Sequence, residues 1–199
     1  MCVPRKSRLE VLKEQSITIK QLSVAYTFLL CSCVIFLYSV HNVSFNYDGI
    51  SVNFMSLLFP VLLFLVNVIA KELGYKYGNR AIIISTITLF FYGAFCNLFV
   101  TGSFNLFDIT IISMAYFTTQ TICLAVYYYL LVNTRLPILL VVCNYIVSSL
   151  IYNILYISLN YKFIMTTEFW IEYILIVLLQ GVLGIVLAIF DAIVERGID

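Results

Sequence analysis

Within an otherwise apolar chain, uncharged polar side chains recur at helical spacing. Ser113, Tyr116, Gln120, Cys123 and Tyr127 fall on one stripe of a single helix, and Asn144, Ser148 and Tyr152 on one stripe of another. Asn67 stands alone in the apolar run after Pro60, with Asn97 and Gln180 in two further runs. Asn and Gln each present a donor and an acceptor from one planar amide, which matches the edge of a nucleobase-like ring. The 15 Tyr and 16 Phe offer faces on which such a ring can stack. Deep in a membrane an unpaired amide costs about 1–3 kcal/mol, so each needs another helix, the backbone or a ligand. The competing role is packing glue between helices, worth about 0.6 kcal/mol per hydrogen bond on average.

The same inventory excludes other chemistries. Asp108, Glu168, Glu172 and Asp191 sit at or near the ends of the apolar runs, and His41 is the only histidine. No metal site and no cofactor is expected. The chain has no phosphate-binding loop, paired histidines or G-x-S-x-G nucleophile motif, so it does not read as an enzyme. Any energy from ATP would have to come from a partner.

The elements that position these residues are membrane helices. Of 199 residues, 63% are hydrophobic and 11% charged, against about 25% charged in soluble domains. Six spans are expected, at 22–40, 54–70, 81–100, 109–132, 136–158 and 169–190. Ten of the eleven Lys and Arg fall on one side of that map: Arg5, Lys6, Arg8, Lys13 and Lys20 before the first span, Lys71, Lys76 and Arg80 in the second loop, then Arg135 and Arg196. Lys162 alone falls opposite. The bias places both termini in the cytoplasm and requires an even number of spans. The fold class is therefore an all-α integral membrane protein with six transmembrane helices: a basic leader at 1–21, a transmembrane domain at 22–190 and a tail at 191–199.

The six cysteines do not form a disulfide framework, because Cys31, Cys33, Cys96, Cys123 and Cys143 lie inside expected spans; they read as small packing residues. Lys71 is placed at the cytoplasmic interface, where its stem snorkels. Gly74 and Gly78 are expected to permit a turn in the basic loop 71–80, and Gly181 and Gly184 to allow close helix approach. Pro60 precedes Asn67 by seven residues and Pro137 precedes Asn144 by seven, a weak echo of two inverted three-helix halves.

The stretch FPVLLFLVNVIAKELGYKYGNRAI, from Phe59 to Ile82, resembles the second helix of the bacterial queuosine precursor transporter family, also called the vitamin uptake transporter-like family. Phe59, Pro60, Asn67, Gly74, Arg80 and Ala81 fall in register with that family's motif. SMAYFTTQ is similar to its fourth-helix S-x-A-Y-x-x-x-Q through Ser113, Ala115, Tyr116 and Gln120. The departures concern charge: family acids are replaced by Asn67, Lys71 and Cys123, and another falls near Tyr152.

The resemblance implies a multi-pass transporter of the bacterial inner membrane that imports a deazaguanine base such as preQ0 or preQ1 for queuosine biosynthesis. The expected substrate-binding residues are Asn67, Gln120, Tyr116, Asn144 and Ser148. Expected partners are a small nucleobase-like molecule and the lipid bilayer, with no nucleic acid; a homo-oligomer or an energising partner stays open. The alternative is a membrane-embedded substrate-binding subunit, or a non-transporting scaffold that has lost the family's acids.

Overall fold

The structure is a computed structural model, and it describes residues 8–40, 44–47, 50–99, 106–133, 147, 151 and 167–196. The described residues are helical apart from one small pair of strands. Helix α1 spans Arg8–Ser39, strands β1 and β2 span Ser44–Tyr47 and Ile50–Asn53, and α2 spans Phe54–Leu73. Helices α3, α4 and α5 span Tyr75–Phe99, Leu106–Asn133 and Thr167–Arg196. Of the expected span 136–158, Val147 and Ile151 are helical and the rest lies outside the described residues.

Among the described residues, three helical segments are long and apolar enough to cross a membrane: Gln15–Ser39, Tyr75–Phe99 and Ile109–Tyr129. Their outward faces agree with that reading. Ile83, Ile84, Ile87, Phe91, Phe95 and Leu98 on α3 are all exposed. So large an apolar surface is a liability in water and at ease in hydrocarbon.

Helix α2 is the hub. It packs against α1, α3, α4 and α5, and its 20 residues reach about 30 Å, the thickness of a bilayer core. Around it Leu30 and Val34 of α1, Leu62, Leu63, Val66 and Ile69 of α2, Ile82 and Leu89 of α3, and Tyr116 and Leu124 of α4 form one continuous core.

The basic loop expected at 71–80 is a single residue. Gly74 takes φ +97°, a left-handed conformation that glycine adopts at no steric cost, and the chain reverses there. Its N–H donates to the Ala70 carbonyl at 2.9 Å, and its own carbonyl accepts the N–H of Tyr77 at 3.0 Å. Lys71 therefore belongs to the last turn of α2, while Lys76 and Arg80 ride on the first turns of α3. This corrects the loop reading: one glycine does what ten residues were expected to do.

Gly78 has a different part. A Cβ there would lie 3.1 Å from the Ala70 Cβ and 3.2 Å from a Leu124 methyl, so its bareness admits α2 and α4 together. At the other end of α3 a Cβ on Gly93 would lie 3.1 Å from the Tyr38 ring and 3.2 Å from Ile109. Gly78 thus marks the basic end of the bundle and Gly93 the hairpin end.

Two further details concern the first helix and the segment between the first two expected spans. Helix α1 spans Arg8–Ser39, so residues 8–21, expected as part of the leader, are helical and continuous with the first span. Strands β1 and β2 pair antiparallel, with Ser44 opposite Asn53 and Tyr47 opposite Ile50. Asp48-Gly49 between the strands is a standard two-residue hairpin signal that the hydropathy map passed over.

The two glycines should respond differently to substitution. Gly74→Ala meets no neighbouring atom and bears only the left-handed strain, about 1–2 kcal/mol. Gly78→Val should cost more and should disturb the α2/α4 contact. Thermal unfolding in detergent micelles measures this, with Gly78→Val expected to show the larger loss.

Candidate functional site

Three helices share a level at Gly78, and that fixes the heights of the polar residues above it. Helices α2 and α4 run in the same direction, since each is antiparallel to α3. Ala70 and Leu124 meet at Gly78. Asn67 stands three residues before Ala70 and Gln120 four before Leu124. At 1.5 Å per residue both lie about 5 Å from that contact toward the hairpin end. The two amides, expected separately from the sequence, occupy one layer of the bundle. Gln120 is also next to the middle of its apolar segment, the twelfth residue of 21 from Ile109.

Both side chains are enclosed, Asn67 at 3% exposure and Gln120 at 0%. Neither oxygen and neither nitrogen of either amide has a hydrogen-bond partner. The hydroxyls of Ser113, Thr119 and Thr121 on α4 are likewise buried and unpaired. Elsewhere in the bundle hydroxyls are treated otherwise. Thr27, Ser32, Ser39, Ser85, Thr86 and Thr88, on α1 and α3, each donate to a carbonyl three or four residues back in their own helix. This is the ordinary way for a Ser or Thr to settle in an apolar helix. On α4, by contrast, unpaired groups gather around Gln120. An orphaned buried polar group costs about 1–3 kcal/mol, and native proteins tolerate few of them.

Tyr116 lies one turn from Gln120 toward the hairpin end and is fully buried. Its hydroxyl is 2.9 Å from Ser85 Oγ on α3. This refines its expected role: the hydroxyl is already engaged by a protein partner, and what Tyr116 offers the layer is the ring. Asn144 and Ser148, the other expected site residues, lie outside the described residues. Gln180 is buried on α5 and is not among the unpaired groups.

The layer is uncharged. Among the described residues the buried polar side chains are Asn67, Ser85, Ser113, Thr119, Gln120 and Gln180, with no Asp, Glu, Lys or Arg. No group of three His, Cys, Asp or Glu is placed to hold a metal ion among them. The arrangement can do one kind of chemistry: donate and accept hydrogen bonds to a neutral molecule in a dry environment, where such bonds discriminate strongly because the alternative is an unpaired group. Sequence reasoning missed Ser85, Thr119 and Thr121. The run Thr118-Thr119-Gln120-Thr121 in a membrane helix was the available signal for the last two.

No family model, no curated protein and no solved structure matches the chain.

If the amides are held unpaired for a ligand, removing them should relieve the ligand-free protein. Gln120→Met, close in volume and without polar atoms, and Asn67→Leu should each raise the thermal midpoint of the purified protein. A fall of several degrees in both would mean that the amides are paired in the folded state.

Proposed function

We propose that this chain is a membrane transporter for a neutral, planar, hydrogen-bonding base, and that the base belongs to the queuosine precursors. The observation that carries the reading is the layer of Asn67 and Gln120, closed from solvent, with all four amide heteroatoms unpaired. A nucleobase edge alternates donors and acceptors, and Asn and Gln engage such edges with two bonds at once. The ring of Tyr116, one turn away, supplies the apolar face that a flat ring needs.

The location supports movement as well as binding. Gln120 is halfway along its span, and transporters place substrate near the midplane so that either side can open to it in turn. The resemblance of residues 59–82 and 113–120 to queuosine precursor transporters supplies the substrate class. The chemistry of the layer narrows it: the aminomethyl group of preQ1 carries a positive charge that no described buried side chain would balance, so preQ0 is the better fit. On this reading the chain lies in the bacterial inner membrane with six spans and both termini in the cytoplasm, as the distribution of Lys and Arg implies.

The test is queuosine in the tRNA of cells that neither make nor import precursor, supplied with preQ0 or preQ1 and expressing this chain. Queuosine should return with preQ0 and be lost again with Asn67→Leu. Absence of queuosine in cells with verified membrane insertion would rule the reading out.

A further inference from the structure

Helices α3 and α4 touch closely at two places. Gly78 meets Leu124 at the basic end, and Gly93 meets Ile109 at the hairpin end. The two contacts are fifteen residues apart on each helix, about 22 Å of helix in both cases. The seam is thus pinned at both ends by glycine, with matched lengths between the pins.

Between the pins the outer face of the seam is open. Ile87, Phe90 and Phe91 of α3 and Ser113, Met114 and Phe117 of α4 line a groove of about 280 Å³ facing away from the core. That is close to the lower end of ligand-site volumes, about 300 Å³. Thr86 and Phe117 of the lining are the chain neighbours of Ser85 and Tyr116, both fully buried. The hydrogen bond between Ser85 and Tyr116 thus joins α3 to α4 at the level of the groove, and Gln120 follows Tyr116 by one turn on the same stripe of α4. Ser113 belongs to that stripe too, lines the groove and keeps its hydroxyl unpaired.

We propose that the α3/α4 seam is a side entrance to the amide layer, used by uncharged flat-ring solutes, with the Tyr116–Ser85 hydrogen bond as its closure. The inference rests on the amides forming a solute site and adds the route to it. Three phenylalanines and a methionine suit the faces of a ring and repel charge. The pinned ends let the middle of the seam part by a small bend while the helices stay docked. One neutral hydrogen bond is a closure weak enough to open and re-form during turnover.

The test needs no queuosine precursor, so its failure is distinct from failure of the transport reading. Cys123 is buried on the Gln120 stripe one turn further in, and serves as reporter once Cys2, Cys31, Cys33, Cys96 and Cys143 are replaced by alanine. N-ethylmaleimide, small, flat and uncharged, is the probe, with protein in phospholipid nanodiscs. Tyr116→Phe and Ser85→Ala should each speed labelling of Cys123 roughly fivefold, as loss of one hydrogen bond would shift an opening equilibrium. Adding Met114→Trp, which fills the groove, should return the rate to that of the parent. Far-ultraviolet circular dichroism and gel filtration establish that each variant is folded, and either closure variant suffices. Unchanged or undetectable labelling in both would overturn the proposal, as would acceleration that survives Met114→Trp. Labelling that occurs in detergent and vanishes on adding phospholipid would identify the groove as an acyl-chain seat and overturn it equally.

Discussion

The close approach of three helices at Gly78 is the constraint from which the rest of the interior follows. Without a side chain on that residue, Ala70 of α2 and Leu124 of α4 both reach α3 at one height, 3.1 and 3.2 Å from where a Cβ would stand. Four residues earlier, Gly74 is the single residue that joins α2 to α3 and reverses the chain. Once the heights of α2 and α4 are set, the residues one turn above are set as well. Asn67 and Gln120 face the interior at one level because helices rise by a fixed amount per residue.

That placement opposes packing stability. The same space filled by leucine and methionine would hold the helices together and leave no polar atom without a partner. Instead the bundle keeps two whole amides and three hydroxyls of α4 dry and unpaired, while hydroxyls on α1 and α3 are settled against their own backbones. In a medium of low dielectric such groups favour whatever can complete their bonds, and the absence of buried charge among the described residues selects for a neutral partner. The route and the site share one stripe of α4: Ser113 at the groove, Tyr116 at the closure, Gln120 in the layer.

How much of this was legible in the sequence depended on whether a feature is local. Asn67 and Gln120 stood out because an amide in a long apolar run is conspicuous, and the α4 stripe was readable from a period of 3.6. The chain reversal was placed in the right segment, but its compactness depends on the positive φ of Gly74, which no spacing reveals. The shared level of the two amides was not legible at all, since it depends on which small residue lets which helices approach. Its spacing from Gly74 suggests only a turn for Gly78. The partner of Tyr116 was hidden for the same reason: Ser85 is 31 residues away in the chain and meets it only because α3 and α4 are pinned in register. The hairpin at 44–53 was readable in Asp48-Gly49 and was overlooked because hydropathy, not turn chemistry, set the boundaries.

The central claim is that the amide layer is a place for a neutral flat base. It is tested most directly by calorimetric titration of preQ0 into the purified protein in phospholipid nanodiscs, with the Gln120→Met protein titrated beside it. Saturable binding at one site per chain is expected in the parent, with its loss in the variant. Equal binding by both proteins, or none by the parent while it remains folded, would contradict it.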